Sequence, residues 1–152
     1  MEINVIRSAP LVLILALFVA GCVAIPTKNE PAAYTRALVQ DAIRFYNLEG
    51  RQAAVEHYSS PENVDGPWYV VIVGEDGYTI AHFNPDIRGR DPALRVDSTG
   101  YFFGDDIMSA TEAGKWISFV VLNPETGTEM RKHTWVVRHD GLFFGSGWYE
   151  KE

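Results

Sequence analysis

The chain has 152 residues, 47% of them hydrophobic and 22% charged, which is ordinary globular composition for one domain. Its 13 basic and 20 acidic side chains give a net charge of -7. That acidity leaves no electrostatic footprint for nucleic acid. A single cysteine excludes an internal disulfide framework and any multi-cysteine metal or iron–sulfur site.

The N-terminus reads as a targeting segment. Arg7 precedes an uncharged stretch with the apolar heart Leu11 to Ala20. A positive region, about 7–15 apolar residues and then small residues describe a secretory signal. Here Ala20 and Gly21 lead into Cys22, and Val19-Ala20-Gly21-Cys22 resembles a bacterial lipobox. That resemblance implies cleavage before Cys22, lipidation of its thiol and an anchor in a membrane. Residues 1–21 are then a signal peptide and 22–30 a lipidated tether. An uncleaved span and a plain signal peptide with an incidental cysteine are the alternatives. Pro10, Gly21 and Pro26 all weaken a spanning helix.

Residues 31–152 form the expected domain. Asn29 and Pro31 stand where a helix cap and first turn belong. Tyr34, Leu38, Ala42, Phe45 and Leu48 recur at helical spacing. Gly50 ends that helix, and Arg51 to Tyr58 reads as a second short one or as the continuation of a broken long one. Trp68 to Val73 is an unbroken apolar, β-branched run that suits a strand covered on both faces. Glu75-Asp76-Gly77 signals a hairpin turn, and Tyr78 to Phe83 the return strand. Residues 84–98 read as a polar loop with one helical turn, and 100–114 as a weak helix candidate. Three strands follow at Lys115–Leu122, Met130–His139 and Leu142–Tyr149, separated by Asn123 to Gly127 and by Asp140-Gly141. The expected class is α+β, a five-stranded antiparallel sheet with a helix on one face.

Three stretches carry a resemblance to a known family. Ala81-His82-Phe83-Asn84-Pro85 closes the first hairpin. Gly114-Lys115-Trp116-Ile117 opens a strand that ends at Asn123-Pro124. Lys132-His133-Thr134-Trp135 precedes a closing Gly145-Ser146-Gly147-Trp148-Tyr149. In this order they resemble the single-Cache domain, a PAS-like extracytoplasmic sensing module, across Tyr34 to Glu150. The resemblance implies strand order 2-1-5-4-3, with Trp68–Val73 beside Leu142–Tyr149. Cache domains usually sit between two membrane helices of a receptor. This sequence stops just after its last strand, so the fold carries over more readily than the signalling role.

The resemblance also implies a pocket between the sheet and the 84–114 crossover, for a small carboxylate or amino acid. A buried carboxylate needs charge-assisted donors, because desolvating it unpaired is costly. The candidate ligand-binding residues are His82, Arg88, Tyr101 and Lys132, with Trp116 and Trp135 as apolar walls. Each has a plain alternative. His82 suits a loop cap, and Arg88 and Arg90 have Asp86 and Asp91 for solvated pairing. Trp116 and Trp135 suit core packing. Lys132 and Trp135 are three apart in one strand and so face opposite ways. No cofactor or metal is expected: His133 and His139 are six apart along a strand. Nucleophile-elbow, Walker-loop and zinc-helix motifs are absent, so no catalysis is expected. The functional expectation is a lipid-anchored binding protein of the cell envelope, acting through a signalling or transport partner. The alternative is a structural or interaction lipoprotein with the same fold and a filled interior.

Overall fold

A computed structural model describes residues 26–150. The expected signal peptide, the lipobox-like stretch and Cys22 lie outside the described residues. Among the described residues, no helix is long and apolar enough to cross a membrane.

The order of elements is α1 (Pro31–Tyr58), β1 (Val71–Val73), β2 (Thr79–Ala81), α2 (Gly104–Met108), β3 (Lys115–Leu122), β4 (Glu129–His139) and β5 (Leu142–Tyr149). The strands form one antiparallel sheet in the order β2-β1-β5-β4-β3. The expected topology is present, with β1 between β2 and β5. The β4–β5 hairpin turns on Asp140 and Gly141, both at positive φ (49° and 75°), which matches the right-handed strand twist.

α1 starts at Pro31, where the missing N–H costs nothing. Asn29 does not cap it: the cap position falls on Glu30, without a side-chain bond. The helix buries Thr35, Val39, Ala42 and Ile43. This face is rotated from the Tyr34–Leu48 stripe read from the sequence, and Leu48 is 81% exposed. Thr35 belongs inside because its Oγ1 accepts the indole N–H of Trp68 at 3.0 Å. With Ile72, Val137, Leu142 and Phe144, this face of α1 makes the first of two cores. The second lies across the sheet, where α2 brings Phe103 and Ile107 onto Val73, Phe119, Val136 and Phe143.

β1 is shorter than the Trp68–Val73 run. Trp68 exchanges backbone hydrogen bonds with Asp65 instead, which takes its N–H and C=O out of the ladder. The crossover holds two 3-10 turns where one was expected, at Pro85–Ile87 and Pro92–Leu94. Asn84 and Asp91 each cap one, accepting from Asp86 N (2.9 Å) and Ala93 N (2.8 Å). Ahead of α1, Lys28 pairs with Asp65 at 2.5 Å.

α1 breaks at Gly50, at φ 86° and ψ 173°. The break lets the last turns fold back, so that His57 stacks on Phe45 with ring centroids 4.5 Å apart. That backbone region is open to glycine almost alone. Gly50→Ala therefore costs about 1–3 kcal/mol, although its Cβ meets nothing within 4 Å. Urea unfolding measures this. A neutral or stabilising result means the helix runs straight through residue 50.

Candidate ligand-binding site

The sheet face away from α1 does not close fully against the crossover. Between them lies a cavity of about 420 Å³, within the range of small-molecule sites. Its floor comes from alternate residues of the strands. β4 contributes Lys132, Thr134 and Val136, β1 contributes Val71 and Val73, and β5 contributes Gly145 and Tyr149. Its roof is the crossover, through Phe83, Ile87, Arg95 and Phe103 among others.

Two buried cations define the chemistry. Lys132 is 5% exposed. Its Nζ sits 3.8 Å from the ring centroid of Tyr69 and 5.0 Å from that of Tyr149. Aromatic faces favour the ammonium but do not neutralise it. Burial pulls the Lys132 pKa down to about 8, while Tyr149 opposes the shift. Arg95 is 4% exposed and gives one nitrogen, Nη2, to Thr79 Oγ1 at 3.0 Å. Its Nη1 is buried with no partner. Neither cation has an ion pair among the described residues. Arg90 also lines the cavity. The lining contains no Asp or Glu at all.

His82 completes the polar set. Its Nδ1 accepts the backbone N–H of Asn84 at 3.0 Å, which places the proton of the neutral ring on Nε2. Burial first, and the ammonium of Lys132 second, bring its pKa down to about 4. At neutral pH it is an uncharged donor. Thr134 adds a buried hydroxyl without a partner.

The sequence-derived candidates divide. His82 and Lys132 come together at the cavity. Trp116 and Trp135 do not line it. Both lie on the helix side of the sheet, packed on each other at 5.1 Å under the guanidinium of Arg36. Strand alternation decides this, since Trp135 is odd where Lys132 is even along β4. Gly114, at φ 79°, leaves room for Trp135, whose ring would lie 2.0 Å from any added Cβ. Tyr101 is turned outward and donates to Asp106, beside the Lys115–Asp106 ion pair. Arg88 is exposed at the end of the Pro85 turn and is not in the lining.

Arg95 was not among the candidates. It follows the Pro92 turn, and the Val96–Phe102 bridge imposes strand-like alternation on its neighbours. Leu94 and Val96 are 61% and 49% exposed, while Arg95 and Asp97 point inward. Asp97 is spent on the scaffold. It accepts from the N–H groups of Thr99 (2.8 Å), Tyr101 (3.0 Å) and Val120 (2.9 Å), tying the crossover to β3. The Thr99 hydroxyl, which donates to it at 2.6 Å, and then these backbone bonds hold its carboxyl down to about 2. The only sequence signal for Arg95 is its setting between apolar neighbours in Ala93-Leu94-Arg95-Val96.

This arrangement of helix and five-stranded sheet recurs in solved structures. A methyl-accepting chemotaxis protein from Vibrio parahaemolyticus matches 80% of this chain and 87% of its own, with TM-score 0.64 and 19% identity. A Cache chemosensory domain described for carboxylic acid recognition matches 77% and 91%, with TM-score 0.63 and 20% identity. The periplasmic sensor domain of a chemotaxis protein matches 76% and 88%, with TM-score 0.59 and 19% identity. The fold is that of a Cache-type sensor domain. No protein-family model matches the sequence, and no curated protein does.

Burial of neutral His82 has a consequence for stability. Between about pH 6.5 and about 4 the unfolded chain takes up a proton that folded His82 refuses. Stability therefore falls as pH drops through that window. Chemical unfolding at a series of pH values should show a shallower fall for His82→Gln than for the wild type. An equal slope in both would mean that His82 is solvated.

Proposed function

We propose that this protein is a non-catalytic, extracytoplasmic binding protein for a small organic acid. In this reading it is held at a membrane by a lipid on Cys22 and acts through an envelope partner. The observation that carries the reading is the pair of buried cations, Lys132 and Arg95, facing a cavity without one acidic residue. A buried cation is costly unless something compensates it. An anion entering the cavity would supply that compensation and receive charge-assisted donors in return.

The lining also narrows the ligand class. A free amino acid carries an ammonium group that needs an acceptor of its own. The one buried carboxylate among the described residues, Asp97, is outside the lining and already accepts three backbone N–H groups. An organic acid without an amine fits better. A Cache domain characterised for carboxylic acid recognition and a periplasmic sensor domain share the fold, which accords with this reading. A filled interior would favour a purely structural or interaction lipoprotein, and a cavity of about 420 Å³ speaks against it.

Anchoring rests on Val19-Ala20-Gly21-Cys22. Cys22→Ser should abolish labelling by a fatty-acid analogue and leave the precursor at full length. Persistent labelling would overturn the lipobox reading.

Ligand binding is tested by thermal shift of the full-length chain against a panel of organic acids. A ligand at 100 times its Kd adds about 2.7 kcal/mol. Losing one charge-assisted bond costs roughly 1.5–3 kcal/mol, so Lys132→Met should weaken binding about 10- to 100-fold. Affinity should be full below about pH 8 and fall as pH rises through that value, because Lys132 then loses its charge. A panel without a single shift would refute the reading. So would binding indifferent to both Lys132→Met and pH.

A further inference from the structure

The two buried cations are held on different strands, Lys132 on β4 and Arg95 through Thr79 on β2, with β5 and β1 between them. Lys132 lies against Tyr69, and Tyr69 meets His82 edge-on at 5.0 Å, so these three form one pole. Arg95 is bonded to Thr79, at the start of β2. The backbone of Thr79 also accepts from Gly89 N at 2.7 Å, which brings the Arg90 segment to the same place. Thr79 and His82 are three residues apart along β2 and its exit, about 10 Å at the rise of a strand. Val71, Val73 and Val136 line the sheet floor of the cavity, which gives it an apolar stretch.

Size points the same way. At about 420 Å³ the cavity lies within the roughly 300–1,000 Å³ of sites that hold drug-sized ligands. A two- or three-carbon acid held at Lys132 would leave most of that volume unused. It would also leave the unpartnered Nη1 of Arg95 without an acceptor. A buried donor of this kind is costly to leave unmade, more so when it is charged.

We infer that the site is built for an elongated dicarboxylate, with one carboxylate on Lys132 and His82 and the second on Arg95, and a short hydrocarbon between them. This rests on the organic-acid reading above and names the ligand class for the same cavity. Arg95 suits the second carboxylate because its planar fork still has one arm free after Thr79 takes the other.

Calorimetric titration of the full-length chain in detergent at pH 7 separates the two levels. The probes are α,ω-dicarboxylates from succinate to suberate and the monocarboxylates of equal length, butanoate to octanoate. One dicarboxylate, at an intermediate length, should bind at least about 10-fold more tightly than its monocarboxylate partner. Arg95→Gln should erase that preference while leaving monocarboxylate affinity within about twofold. Arg95→Lys, which keeps a charge and serves if the glutamine variant does not fold, should restore part of it. Lys132→Met should weaken both series. If monocarboxylates bind as tightly as dicarboxylates and still require Lys132, the dicarboxylate inference falls and the organic-acid reading stands. If no acid of either series binds, both fall.

Discussion

Everything at the site depends on the two-residue period of β4. Because side chains alternate across an antiparallel sheet, Lys132, Thr134 and Val136 share one face while Trp135 and Val137 share the other. A one-residue slip would move the lysine under α1 and a tryptophan into the cavity. Register is held from both sides: β4 pairs with β3 from Lys115 to Leu122 and with β5 from Leu142 to Tyr149. The Asp140-Gly141 turn locks the second pairing, since a two-residue loop at positive φ allows one register only.

That register sets the electrostatics. The protein is acidic overall, yet the acids stay out of the cavity and the cations that enter it are desolvated. Desolvation is visible in three groups together. Lys132 is brought down to about 8, Arg95 is lowered, and His82 falls to about 4 and so stays neutral. A core designed only for packing would have no use for them. An apolar cavity with a few convergent donors matches the usual composition of small-molecule sites.

The roof is built by different means. It has little regular structure, and it is held by short local devices. Two proline turns carry side-chain caps from Asn84 and Asp91, and Asp97 gathers three backbone N–H groups, one of them from β3. This is how an irregular segment satisfies its buried polar groups. It also gives the crossover a fixed shape, which is what delivers Arg95 to Thr79 on β2, with β1 and β5 between it and the strand of Lys132.

Much of the fold was legible in the sequence because its signals are local. The limits of β3 and β5, the break at Gly50, the turn at Asp140-Gly141 and the five-strand antiparallel class all follow from periodicity and turn chemistry within a few residues. The opposition of Lys132 and Trp135 follows from strand geometry alone, but which of them meets the cavity does not. That choice depends on which sheet face α1 covers. The same holds for the buried stripe of α1, where two apolar faces compete and Thr35 wins a place inside through a bond to Trp68, 33 residues away. The crossover is the extreme case. Arg88 and Arg90 stand out in the sequence as donors in the crossover, while it is Arg95 that enters the interior and Leu94 and Val96 that stay largely exposed, the reverse of hydropathy. The local pairing of Val96 with Phe102 and the distant bond of Asp97 to Val120 together fix that inversion, and the second is out of reach of sequence because a single segment carries no information about the surface it will be folded against.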